Sequence, residues 1–196
     1  DLRLDVSGEG SESDPGLWKL HVTTTTQDKI QVDATAAIRV AKEPSTPAVG
    51  SSAPASVTLT EADVDNITMI TSDSDPDKDF YQLSIHQALQ EDKPLVVVFA
   101  TPAFCVSATC GPQLEILTRL KEQYQDRVNF IHVEAFENPH LMEGGRPAGD
   151  LVAAVKEWGL PSEPWTFIVG KDGVVKAKYD QFVAEEELGK VLNEIS

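Results

Sequence analysis

Residues 94–100, PLVVVFA, restrict the fold of this 196-residue chain more than any other stretch. Six consecutive apolar residues after a proline, three of them valines, read as a strand buried on both faces. Such a strand belongs inside a sheet with cover above and below, and its neighbours supply that cover. LSIHQALQ (83–90) is a short helical pattern. Between Pro112 and Gln125, Leu114, Leu117, Leu120 and Tyr124 recur at helical spacing, with Pro112 suited to the first helical position. VNFIHV (128–133) is a second strand, and Asp150 is placed to cap LVAAVKEW, which Gly159 ends. WTFIVG and VVKAKY flank Lys171-Asp172-Gly173, a hairpin signal. Glu185 to Glu187 open a last helix that carries Leu188, Val191, Leu192 and Ile195. The order helix, strand, helix, strand, helix, strand, strand, helix implies parallel crossovers and an antiparallel final edge. The expected class is α/β: a central mixed sheet with helices on both faces.

The first 43 residues follow another pattern. LWKLHVTTTT (17–26) and IQVDATAAIRVAK (30–42) are rich in β-branched residues and partly alternate, so they read as two strands joined by QDK. LRLDV (2–6) is a third short strand, and the Gly/Ser/Asp/Pro stretch 7–16 is a loop. So few residues cannot close a sandwich. This β segment is expected to be the end of a β-domain, packed on the rest of the chain or on another copy. EPSTPAVGSSAPAS (43–56) has linker composition. SDSDPDKD (72–79) places Asp73, Asp75, Asp77 and Asp79 at alternate positions, but a calcium loop would want Gly at Lys78 and Glu at Ser84, so a solvated loop is expected.

With 32 acidic against 16 basic residues, the formal charge of −16 repels phosphate backbones and anionic lipid. Nucleic acid and bare membrane surfaces are therefore poor partners, and no apolar run is long enough to span a bilayer. The opening on Asp1, without an initiator Met or a charged-then-apolar leader, is read as that of a processed or excised piece. No cofactor is implied.

The two cysteines, Cys105 and Cys110, stand in FATPAFCVSATCGPQLEIL, just after the buried strand. Five residues of regular helix separate Cα atoms by roughly 8–9 Å, whereas a disulfide needs them within about 7 Å. Both cannot lie in helix and be bonded. Gly111-Pro112 mark the helix start, which puts Cys110 near its N-cap and Cys105 in a loop of small residues that can fold back. Unpaired N–H groups and the dipole at that end favour a thiolate, the form that attacks a disulfide. A lone close pair also suits an oxidising compartment.

A cysteine pair after the first buried strand, together with GLPSEPWTFIVGKDGVV (159–175), resembles the thioredoxin-like fold family. Within it the match is to TlpA/ResA-like domains, here with an atypical Cys-x4-Cys and preceded by the end of an Ig-like β-domain. The resemblance implies a three-layer sandwich over 80–196, after a β-rich segment 1–43 and a linker and acidic loop 44–79. It also implies a cis-proline at Pro164 facing Cys105 and Cys110, with Phe104, Glu163 and Trp165 beside it on the substrate-binding surface. Counting from the strand makes Cys105 the nucleophile and Cys110 the resolving thiol. Matching CGP instead puts Cys110 first and Gln113 where the second cysteine would stand. Two features depart from the family: Val96-Val97-Val98 offers no buried acid, and Glu163 precedes the proline, where an acid raises thiol pKa values.

Three functions follow. The first is an extracytoplasmic thiol–disulfide oxidoreductase acting on protein thiols and disulfides. The second is a non-catalytic binding or structural module whose Cys105–Cys110 bond is a local staple, of small stabilising value in so short a ring. The third is Cu(I) handling by the cysteines with His140 or Met142. His132, inside the strand FIHV, reads as a satisfied core or edge histidine.

Overall fold

A computed structural model describes residues 2–7, 15–25, 29–105, 107–124, 126–141 and 148–196. The loop expected before residue 15, the hairpin connection at 26–28 and Met142 lie outside the described residues. The chain divides into two units, Asp1–Pro44 and Ser45–Ser196.

In the first unit β1 (Leu2–Ser7), β2 (Gly16–Thr25) and β3 (Gln31–Val40) form an antiparallel sheet in the order β1-β2-β3. Thr25 opposite Gln31 and Gly16 opposite Val40 fix the register of the hairpin.

The second unit is organised around β4 (Leu95–Ala100), whose six residues are all buried. It lies second in a four-stranded sheet of order β5-β4-β6-β7, with β5 at Asn129–Glu134, β6 at Trp165–Val169 and β7 at Val175–Asp180. The period of two along β4 feeds two cores. Val96, Val98 and Ala100 pack with Leu114, Leu117 and Leu120 of α2 (Cys110–Tyr124) and with Leu188 and Leu192 of α4 (Glu185–Ile195). Leu95, Val97 and Phe99 pack with Ile85 and Ala88 of α1 (Ile85–Ala88) and with Ala154 and Val155 of α3 (Ala153–Glu157). Helices therefore cover both faces, as the apolar run requires. On the second face Trp158 is fully buried against Phe99 and Phe167, with ring centroids 5.2 and 4.7 Å away.

β4 and β5 are parallel across the α2 crossover, but β6 runs antiparallel to β4, with Phe99 opposite Trp165 and Leu95 opposite Val169. This corrects the expectation of parallel crossovers throughout. Between these strands the five-residue α3 rises only about 7.5 Å, whereas a six-residue strand spans roughly 20 Å, so α3 is not a crossover helix running back along the sheet. The chain leaves β5 and enters β6 at the same end of the sheet. Asp150 is likewise not the cap of α3. Its carbonyl accepts from Glu137 N–H at 2.8 Å, while Val152 takes the cap position.

Residues 45–56, for all their linker composition, run along the outer edge of β7. Gly50 N–H donates to Val175 O at 2.8 Å, Val175 N–H to Ser51 O at 2.9 Å, and Ala53 N–H to Gly173 O at 2.9 Å. An otherwise open sheet edge is paired in this way. Gly159 (φ 60°) makes room for the start of this segment, because a Cβ there would lie 2.0 Å from Ser45 O. The aspartates of 72–79 are held by the protein itself: Asp77 and Asp79 both pair with Lys121 Nζ, at 2.6 and 2.5 Å.

Candidate functional site: a disulfide at a helix N-terminus

Cys105 and Cys110 are joined by a disulfide with a Cα–Cα distance of 6.0 Å. The fold meets the distance limit as the spacing demands: Cys110 is the first residue of α2, and Cys105 lies in the loop after β4. Phe104 N–H to Thr101 O at 3.1 Å and Ala108 N–H to Cys105 O at 3.2 Å turn that loop back on itself. Ala108 adopts a left-handed φ of 57° to complete the return. Gln113 N–H makes the first bond of α2, to Thr109 O at 2.9 Å. Pro112 therefore occupies the third helical position rather than the first, which costs nothing because first-turn N–H groups have no partner inside the helix.

The two sulfurs differ. Cys110 is fully buried, whereas Cys105 is half-buried. Cys110 N–H donates to Cys105 Sγ at 3.3 Å, and Ser107 Oγ lies 3.2 Å from the same sulfur. The free N–H at the head of α2 thus acts on Cys105 and not on Cys110. The dipole argument, which by position alone favours Cys110, favours Cys105 once this loop geometry is known.

The Glu163–Pro164 peptide bond is cis and Pro164 is buried. Gln181, at a left-handed φ of 63°, ties this turn to the cysteine loop. Its N–H donates to Pro164 O at 2.8 Å, its Nε2 donates to Glu163 O at 3.0 Å, and its Oε1 accepts from Thr109 Oγ1 at 3.4 Å. Phe104 is half-buried in the cysteine loop. Trp165 opens β6, stacked 5.7 Å from Phe167 with Nε1 donating to Ser162 Oγ at 3.0 Å.

The Glu163 carboxylate accepts a hydrogen bond from Thr101 Oγ1, and burial raises its pKa. A second acid lies beside it. Glu134, opposite Ala100 in the β4–β5 register, is only 4% exposed; its Oε2 accepts Ser72 N–H at 2.7 Å. Burial pushes its carboxyl up to about 6, the Ser72 N–H and hydroxyl oppose the rise, and the charge on Glu163 adds to it. The single proton of the Thr101 hydroxyl goes to Glu163, so Glu134 Oε1 has no donor. A buried acid, absent from β4, thus stands on the adjacent strand.

His132 is the satisfied core histidine that its strand position implies. Its Nε2–H donates to Ala100 O at 3.0 Å, and its Nδ1 accepts from Tyr81 Oη at 2.6 Å. Burial lowers its pKa to about 4. His140 is exposed, and among the described residues no three His, Cys, Asp or Glu side chains are grouped to hold a metal ion.

These elements define the class of the second unit: an α/β three-layer sandwich, with helices on both faces of a mixed sheet and a disulfide at the head of the helix that follows its first strand. No protein-family model matches the chain, and no curated protein does. Similar solved structures include DsbF from MTB, 19% identical over 54% of this chain and 82% of that one, with a TM-score of 0.42. A thio-disulfide isomerase from Thermus thermophilus is 23% identical over 53% and 79%, TM-score 0.40. A thioredoxin-like superfamily protein is 12% identical over 76% and 96%, TM-score 0.49.

Sequence reasoning missed Gln181, Thr101 and Glu134. Glu134 had one available signal, its place at the end of FIHVE beside the end of the buried strand. Gln181 had none, since a lone polar residue after a strand is commonplace.

Proposed function

We propose that the chain is a thiol–disulfide oxidoreductase of TlpA/ResA-like type working outside the cytoplasm on protein thiols and disulfides. Residues 1–43 would be the end of an Ig-like domain, 44–79 a connecting segment and 80–196 the redox domain. The observation that carries the redox reading is the asymmetry of the pair: the reachable sulfur, Cys105, is also the one that accepts the head N–H of α2. A structural staple has no need of that arrangement.

In the reduced protein the Cys105 thiolate, stabilised by Cys110 N–H, attacks one sulfur of a partner disulfide. A mixed disulfide forms and the partner's other sulfur leaves as a thiolate, which takes up a proton. Cys110 then loses its proton, attacks Cys105 Sγ and releases the partner's second thiol. Two electrons pass to the partner, and the bond described above is regenerated. The partner's chain meets Phe104, Glu163, Pro164 and Trp165. The Glu163 carboxylate is directed to Thr101 and held toward its neutral form by burial, which weakens the objection that an acid there would blunt the nucleophile.

The test is trapping. Cys110→Ser is expected to accumulate a mixed disulfide at Cys105 with a disulfide-bonded protein, whereas Cys105→Ser accumulates none. A wild-type rate toward a model disulfide no greater than that of free cysteine would overturn the proposal and leave a local staple.

A further inference from the structure

β3 is a long, flat edge strand. It pairs with β2 through ten consecutive residues with no register shift and carries no proline or glycine. Every residue from Gln31 to Arg39 is exposed. Natural sheets guard such an edge with a proline, a bulge or a very short strand. The strand also has two distinct faces. Val32, Ala34, Ala36, Ile38 and Val40 share one, and Gln31, Asp33, Thr35, Ala37 and Arg39 share the other.

We propose that β3 is a dimerisation edge: two copies of this chain pair β3 with β3, antiparallel about Ala36, to give a continuous six-stranded sheet. The charges select the second copy as the occupant and select this register. Pairing about Ala36 sets Asp33 opposite Arg39 of the partner subunit, and symmetry repeats the pair. Val32 then faces Val40 of the partner subunit, and Ala34 faces Ile38 of the partner subunit. A slip of one residue would run one copy's apolar face into the other's polar face. A slip of two would leave Asp33 opposite an alanine. Arg39 makes no ion pair among the described residues, while Asp33 Oδ1 is held in place by Thr23 Oγ1 at 2.7 Å and Gln31 Nε2 at 3.1 Å. The inference is independent of the redox reading.

Sedimentation of the full chain over a concentration series tests it. The wild type is expected to dimerise. Arg39→Asp, which puts like charges opposite each other twice, is expected to weaken the dimer roughly tenfold. The double variant Asp33→Arg/Arg39→Asp restores it, which separates a lost interface from a lost fold. Ala36→Cys, directly opposite its own copy, should form an intermolecular disulfide on oxidation, and Asp33→Cys should not. A wild type that is monomeric throughout overturns the proposal. So does a dimer indifferent to Arg39→Asp, a double variant that fails to recover, or an Ala36→Cys variant that does not cross-link.

Discussion

Replacing Glu134 by Gln should change how the stability of the second unit depends on pH, and the direction follows from the burial of that carboxyl. Glu134 in the folded chain keeps its proton up to about 6, against 4.5 when free. Between those values the folded state binds more protons than the unfolded one. The contribution is therefore complete below pH 4.5 and is lost as pH rises through 6. The gap corresponds to about 2 kcal/mol. His132, two residues earlier on β5, works in the opposite sense. Its folded pKa is lowered from 6.5 to about 4, so its contribution is present above 6.5 and lost as pH falls through 4.

The wild-type profile between pH 4.5 and 6 is thus a partial cancellation. Glu134→Gln leaves His132 and removes one of the groups that oppose it. The variant should therefore gain stability with rising pH more steeply than the wild type, by about 1 kcal/mol across that interval, the rest of the ~2 kcal/mol falling outside it. Urea titrations at several pH values, followed by helical circular dichroism, measure this, because the α-helices among the described residues all lie within Ser45–Ser196. A free-energy difference between variant and wild type that stays constant from pH 4.5 to 6 would refute the reasoning.

Three further outcomes are expected. Trp158→Ala empties the space between Phe99 and Phe167 and should cost about 3–5 kcal/mol in chemical denaturation. Gly159→Ala meets both a left-handed φ and the Ser45 carbonyl, so it should cost at least about 1 kcal/mol by the same measurement. Gln181→Ala releases the cis-proline turn from the cysteine loop; disulfide exchange should slow several-fold, on the order of the loss of one hydrogen bond, while thermal unfolding monitored by helix content changes little.

Much of the fold was legible because burial leaves a period in the sequence. The continuous run at β4 announced two covered faces, and the leucine spacing of α2 announced which side faced the sheet. Strand direction leaves no such mark: an alternation of strand and helix signals reads the same whether β6 runs parallel or, as it does, antiparallel to β4. The cysteine spacing was informative because geometry forbids a five-residue bond within helix, and Gly111-Pro112 at the helix start then put Cys105 outside α2. It could not say which sulfur the helix N–H would reach, because that depends on the left-handed turn at Ala108. Glu134 was hidden for a similar reason: its importance comes from lying opposite Ala100, a relation between strands and not along one.

The central claim is that Cys105–Cys110 is a working couple, and its reduction potential tests this most directly. Equilibration with a thiol buffer of known potential should place it within the range of catalytic couples, between about −270 and −120 mV. A value below about −300 mV would mark a structural bond and contradict the account.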